Sequence, residues 1–337
     1  MLIISQSVLR QYDIGKILEI KPVSAGLIHK TFVIKTDNGQ YIIQRLHPIL
    51  SSQGTAQDFL NVTRFLNSRN FPSPICVKTK QGKILAENKN EKWRLQTKLS
   101  GKTFDRLTSV VMAKSAGRIY GEFHLAIDQA EFQFHSTLVL HESKKVYQHF
   151  CDVLNKFKAS PLMNVVRKEI EIINKEFPRY FLPDNLPKRV IHGDPKISNI
   201  LFSGLKAAAV IDLDTCQRQN LLVELGDVFR SWCGKREDDT HNTFSLSLFR
   251  ASWNGYKKGS EGLMTKREIS LVPKAIGLIT LELACRFLSD YFEDCYFGWD
   301  EKQYQSRRTH NLARCRGQLA EFKDFKRKFP KIKNIIK

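Results

Sequence analysis

Two apolar runs near the middle of the chain, VIHGDPKISNILF (190–202) and AAAVIDLD (207–214), are interrupted by His192, Asp194, Asn199 and Asp212. The flanking residues read as buried strand, where a charge is costly unless it is paired, hydrogen-bonded or bound to a cation. Any fold of this chain must therefore supply partners for these four groups. Ser203-Gly204 offers a turn between NILF and the second run, so the two can pair as a short hairpin. In that pairing Asn199 and Asp212, thirteen residues apart, can converge on one hard cation. Oxygen ligands, few in number, suit Mg2+, which keeps waters and takes substrate phosphates for its other positions. Asp194, on the loop just before, is placed as a base for an incoming hydroxyl. The plainer alternative is a set of turn-capping Asp and Asn side chains. Three such groups at these intervals, with a preceding His, favour the site.

The rest of the chain divides into two textures. SAGLIHKTFVIK (24–35) and QYIIQRLH (40–47) flank Asp37-Asn38-Gly39, a hairpin turn signal because Asn and Gly accept positive φ. GKILAENKNEKWRLQTKL (82–99) reads as a second hairpin, and 56–67 has helical spacing at Phe59, Val62, Phe65 and Leu66. From about 104 onward helical periodicity dominates: Met112, Ala116, Ile119 and Phe123 share one face, and 278–292 is another amphipathic stretch. The expectation is an α+β, two-lobed organisation, with a β-rich lobe over 1–99, a hinge near 97–102 and a larger mainly helical lobe over 100–337.

Composition narrows the setting. No run reaches the roughly 18 apolar residues of a membrane span, and MLIISQSVLR has neither a basic leader nor a cleavage-like site. Seven cysteines without a CxxC pair argue for reduced thiols and a cytoplasmic protein. The formal charge is +20, of which residues 307–337 hold +9, from eleven Lys/Arg against two Asp/Glu. Lysines alternate with Phe and Ile in KDFKRKFPKIKNIIK, a pattern that could bind nucleic acid or an anionic membrane. A solvated terminal helix with a frayed tail is the favoured reading. The charge on the remainder suits handling of phosphates.

HGDPKISN with IDLD resembles the HxDxxxxN and IDxD motifs of the aminoglycoside phosphotransferase/choline kinase superfamily, which has the protein-kinase-like fold. Within it, GLIHKTFVI, YIIQRLH, EKWR, GEFH, VIDLDT, ELGDVFR, ELACRFLSDYF and HNLARCR are most similar to the N-acetylhexosamine 1-kinase-like branch. The resemblance implies an ATP-dependent, Mg2+-requiring kinase acting on a hydroxyl of a sugar or amino sugar. It makes Asp194 the catalytic base in contact with the acceptor, and Asn199 and Asp212 the Mg2+ ligands that also bridge the ATP phosphates. His192 and Asp227 would support the catalytic loop, and Asp214 would contact metal or substrate or else cap a loop. On the nucleotide side it points to Ser24 and Gly26, to Arg45 where protein kinases place a lysine, and to Lys98. No Glu in 56–67 is available for the usual ion pair; Asp58 is the nearest acid. Arg286 and Tyr296 would contact the acceptor, although Glu282 also stands four residues before Arg286 as an ordinary helical ion pair.

Three alternatives stay open: an aminoglycoside kinase, a choline- or homoserine-type kinase, and a non-enzymatic binder of anionic polymers using the basic tail. An aminoglycoside pocket should be strongly acidic. Glu237, Asp238 and Asp239 are the one modest acid cluster. A small hydroxylated molecule is the expected partner and nucleic acid is not.

Overall fold

The protein is described here by a computed structural model covering residues 4–23, 29–136 and 140–337. A short helix α1 (Gln6–Leu9) precedes an antiparallel sheet of β1 (Ile17–Val23), β2 (Lys30–Thr36), β3 (Gln40–Arg45), β4 (Cys76–Val77), β5 (Leu85–Asn88) and β6 (Glu91–Thr97), with α2 (Gln53–Ser68) inserted after β3. The strand order is β1-β2-β3-β6-β4, and β5 also pairs with β6. The Asp37–Gly39 turn closes β2 onto β3 as expected, with Lys35 opposite Gln40 and the Thr36 amide donating to Gly39 O at 2.9 Å. Alternation then sorts the side chains. Phe32, Ile34, Ile43, Trp93 and Leu95 bury one face against Val8, Leu9, Tyr12 and Ile14. Gln44 and Arg94, cross-strand partners, lie on the other face.

The second lobe holds α3 (Val110–Ile127), α4 (Ser143–Lys156), α5 (Leu162–Val165), α6 (Arg167–Glu176), α7 (Leu221–Cys233), α8 (Leu246–Gly259), α9 (Lys266–Glu293) and α10 (Arg307–Ile336). Four short strands interrupt them: β7 (Lys188–Ile191), β8 (Ile200–Ser203), β9 (Lys206–Val210) and β10 (Gln217–Asn220). β8 pairs with β9 and β7 with β10. Sequence QRQN concealed β10, because a strand in a two-stranded ribbon needs no apolar alternation. An α+β, protein-kinase-like architecture results, with an antiparallel sheet lobe and a helical lobe. No helix among the described residues is long and apolar enough to cross a membrane.

Helices α3 and α8 meet backbone to backbone. A Cβ on Gly117 would stand 2.0 Å from Ser252 O, and one on Gly255 would stand 2.0 Å from Lys114 O. Gly121 and Gly259 repeat the arrangement one turn along, at 2.5 Å from Tyr256 O and 2.1 Å from Arg118 O. At the other end of the chain the frayed-tail expectation is corrected. Residues 307–336 form one helix, opened by a Ser306/Thr309 capping box. Phe322, Phe325, Ile332 and Ile336 are buried. The Phe244 amide donates to Asp324 at 2.9 Å, and Lys328 Nζ donates to Phe244 O at 2.7 Å. The lysine–apolar alternation is therefore an amphipathic helix whose apolar stripe completes the core.

Candidate active site

β7 delivers the chain into the loop that carries Asp194. Gly193 adopts φ +86°, and a Cβ there would sit 2.5 Å from Thr215 O, so the position admits only glycine. His192 is fully buried. Its Nε2–H donates to Ile211 O at 2.8 Å, its Nδ1 accepts the Asp194 amide at 3.3 Å, and its carbonyl accepts Thr215 Oγ1–H at 2.9 Å. The loop bearing Asp194 is thus bonded to the strand end bearing Asp212. From α7, Trp232 Nε1–H donates to Pro195 O at 2.7 Å.

Beneath the loop lies Glu224, which accepts the amides of His192 (2.8 Å) and Gly193 (2.7 Å), Tyr120 O–H (2.8 Å) and His124 Nε2–H (2.9 Å). Burial alone would raise its carboxyl; His124, His192 and the Gly193 amide outweigh burial and hold it down to about 2. Asp227 does not hold the loop as expected. Its carboxylate takes Arg230 at 2.7 Å on the next turn. ELGD offers two acids three residues apart, and of the two it is Glu224 whose side chain turns inward to the loop amides.

Asp194 itself remains partly open. Lys196 Nζ lies 2.6 Å from its Oδ2, and Asn199 Nδ2 donates to Asp194 O at 2.8 Å and Oδ2 at 3.2 Å. Asn199 O accepts the Ile211 amide at 2.9 Å, and Ile200 stands opposite Val210, so the hairpin sets Asn199 beside Asp212 as expected. With its amide nitrogen engaged on Asp194, the atom Asn199 could offer a cation is Oδ1. Asp212 sits in the left-handed region, φ +64°. Burial, with the charges of Asp214 and Asp194, raises its carboxyl above the ordinary range, which marks a place short of positive charge.

His29, Asp212 and Asp214 offer ligand atoms within 4.8 Å of one another. Arg94, however, forks onto both Asp214 oxygens, Nη2 reaching Oδ2 at 2.7 Å. Burial would raise Asp214, but Arg94 and His29 hold it far below the usual carboxylate range. The donors left for a hard cation are Asn199 Oδ1 and Asp212, a set that fits Mg2+.

Among the nucleotide-side expectations, Ser24 and Gly26 lie outside the described residues. Arg45 bonds Glu91 on the Trp93 face of the sheet, opposite to Gln44 and Arg94. One residue of strand alternation turns it to the opposite face, and Arg94 from β6 is the sheet cation that reaches Asp214. Lys98 follows β6, half-buried, with its amide on Gln40 O at 3.0 Å. Asp58 caps the amides of His135 (2.9 Å) and Ser136 (2.8 Å) instead of meeting a strand cation.

On the helical lobe the structure brings Arg286 and Tyr296 together. The guanidinium lies 5.7 Å from the Tyr296 ring and 5.5 Å from the Phe297 ring, with Nη2 3.4 Å from Tyr296 Oη. Between Leu281 and Phe292 every residue but Arg286 is buried. The expected Glu282–Arg286 pair is absent, because Glu282 accepts His141 Nδ1–H (3.0 Å) and Ser143 Oγ–H. Asp290 shapes the Tyr296 loop by accepting the amides of Cys295, Tyr296 and Phe297 at 2.8–2.9 Å and Asn311 Nδ2–H at 2.7 Å. The acid cluster is already neutralised: Asp238 holds Arg236 and Tyr304, both at 2.9 Å, and Asp239 caps the His241 amide at 2.8 Å.

A sheet lobe and a helical lobe around a loop of this make-up define a kinase-like phosphotransferase. Residues 19–256 match the phosphotransferase enzyme family, and the chain belongs to it. It is an ATP-dependent phosphotransferase acting on a hydroxyl. Among curated proteins, a homoserine kinase of Methylobacillus flagellatus is 25% identical over 228 residues, 68% of each chain. A homoserine kinase of Methylocella silvestris is 23% identical over 284 residues, 84% of each chain. Among solved structures, an aminoglycoside phosphotransferase from Alicyclobacillus acidocaldarius superposes with TM-score 0.68 at 13% identity, covering 98% of both chains. A microcompartment-associated aminopropanol kinase gives TM-score 0.66 at 14% identity, over 96% of this chain and 97% of that one. An amicoumacin kinase in complex with AMP-PNP and Ca2+ gives 0.63 at 12% identity, over 93% and 91%.

Proposed function

We propose that the protein is a cytoplasmic, Mg2+-dependent kinase that transfers the γ-phosphate of ATP to a hydroxyl of a sugar or amino sugar. The supporting observation is the convergence of Asp194, Lys196, Asn199 and Asp212 on one loop and hairpin. The acceptor oxygen forms its bond to the γ-phosphorus while the bond to the β,γ-bridging oxygen breaks and ADP leaves. Asp194 takes the acceptor proton. Lys196, beside it, stays close to the transferring group and offsets its charge. Mg2+, when bound, would be held by Asn199 and Asp212 and would supply charge neutralisation for the phosphates. Arg286 and Tyr296 hold the acceptor, and the sheet-lobe cation that meets the helical lobe is Arg94, through Asp214, rather than Arg45. Seven unbridged cysteines suit a reducing compartment.

A homoserine-type acceptor is the second reading, favoured by the curated relatives named as homoserine kinases and by Arg286, which has no carboxylate partner among the described residues. The neutralised acid cluster speaks against a polycationic aminoglycoside. A panel of N-acetylhexosamines, other sugars, homoserine, choline and aminoglycosides, read by ADP release with product NMR, decides among them. Turnover of homoserine alone would displace the sugar reading, and undiminished turnover in EDTA would remove the Mg2+ assignment.

A further inference from the structure

Arg94 is 1% exposed and makes more connections than any strand position requires. Besides its fork on Asp214, its Nη2 donates to Gln44 Oε1 at 2.7 Å, and its guanidinium carbon lies 3.6 Å from the Phe59 ring centre. His29 Nε2 stands 3.6 Å from Asp214 Oδ2, while its Nδ1 accepts the His47 amide at 3.1 Å. One guanidinium therefore links β3, β6 and α2 of the sheet lobe to the turn Leu213–Thr215, which Asp212 opens. Both hydrogens of Nη2 are committed, one to Asp214 and one to Gln44.

Asp212 is a non-glycine residue in the left-handed region, a conformation that persists only when its surroundings over-determine it. Two ties flank it: His192 on Ile211 O before it, and Arg94 on Asp214 after it. The first lies within the helical lobe. The second crosses between lobes.

We propose that Arg94 is a positioning residue for the cation site: by forking onto Asp214 it fixes Asp212 in the ligating conformation, so the site is complete only when the sheet lobe is docked. The inference rests on reading Asn199 and Asp212 as the metal ligands. Lysine would not substitute, because a point charge cannot span both carboxylate oxygens.

The test compares the wild type with Arg94→Lys and with the double variant Arg94→Met/Asp214→Asn, which removes both members of the pair and so leaves no lone buried charge. Mn2+ binding is followed by the EPR signal of free Mn2+ in the presence of AMP-PNP, beside melting temperature and AMP-PNP affinity in EDTA. Arg94→Lys should weaken Mn2+ by tenfold or more while metal-free nucleotide affinity stays within twofold. The double variant should match that loss, because the two residues act as one unit. Should Arg94→Lys not fold, the double variant decides alone. A folded variant with unchanged Mn2+ affinity overturns the proposal, even if its melting temperature falls. Absence of Mn2+ binding in the wild type would overturn the metal-site reading and this inference with it.

Discussion

Lys196 and Asn199 both bond Oδ2 of Asp194, so the carboxylate's geometry is set before any substrate arrives. Asp194→Asn should keep the fold and ATP affinity but lose about 10²–10⁴-fold in turnover, since a positioned base contributes that much. Near wild-type rates with the best acceptor would refute the assignment. Arg286→Lys should raise acceptor KM or lower kcat by about three- to tenfold with ATP KM unchanged, because the planar fork is lost and one hydrogen bond is worth about 0.5–1.5 kcal/mol. A lower melting temperature with both KM values and kcat unchanged would make Arg286 a packing residue. Asp194, Asn199 and Asp212 could be picked out from spacing alone, because a hairpin converts sequence interval into adjacency. Arg94, Lys196 and Glu224 escaped, since their roles depend on which partner each faces. EKWR and ELGD give no sign that Arg94 points at Asp214 or that Glu224, not Asp227, points inward.

Helix α7 works as a platform, with Glu224 and Trp232 holding the loop from below. Glu224→Gln would set a donor NH2 against the Gly193 amide, loosening the loop and lowering kcat. The pH dependence follows from the depressed carboxyl. A group held at about 2 in the folded chain, against an ordinary 4.5, stabilises the fold above about pH 4.5 and loses that contribution as pH falls toward 2. Melting temperature measured from pH 7 to 2 should therefore fall less steeply below 4.5 in Glu224→Gln than in the wild type, from a lower starting value. Equal slopes would show that Glu224 is not a source of acid sensitivity. Element identity was readable wherever periodicity was strong, as in α2, α3 and α9. β10 was not, and neither was the meeting of GRIYG with GYKKG, because glycines four apart signal close approach only once a partner helix is known.

At the scale of the whole molecule, α10 closes the helical lobe. Deleting 321–337 should lower the melting temperature sharply and abolish turnover, because Phe322, Phe325, Ile332 and Ile336 leave the core; large apolar truncations typically cost about 2–5 kcal/mol each. Replacing exposed Lys323, Lys331 and Lys337 with Gln should leave kcat and KM unchanged. Loss of turnover in that triple variant, with folding intact, would give the basic face a part in catalysis. The two-lobed plan was legible because a change of texture from alternation to helical spacing survives without coordinates. The tail was misread because net charge drew attention away from an apolar stripe at helical intervals.

The crossing of α3 and α8 has a consequence in time. Where Gly117, Gly121, Gly255 and Gly259 press backbone on backbone, no side chain exists whose rotation would admit solvent. Amide protons at that contact can exchange with deuterium only when the lobe comes apart as a unit. They should be the last in the chain to exchange, at rates that report global opening, long after those of α5 and the sheet edge are gone.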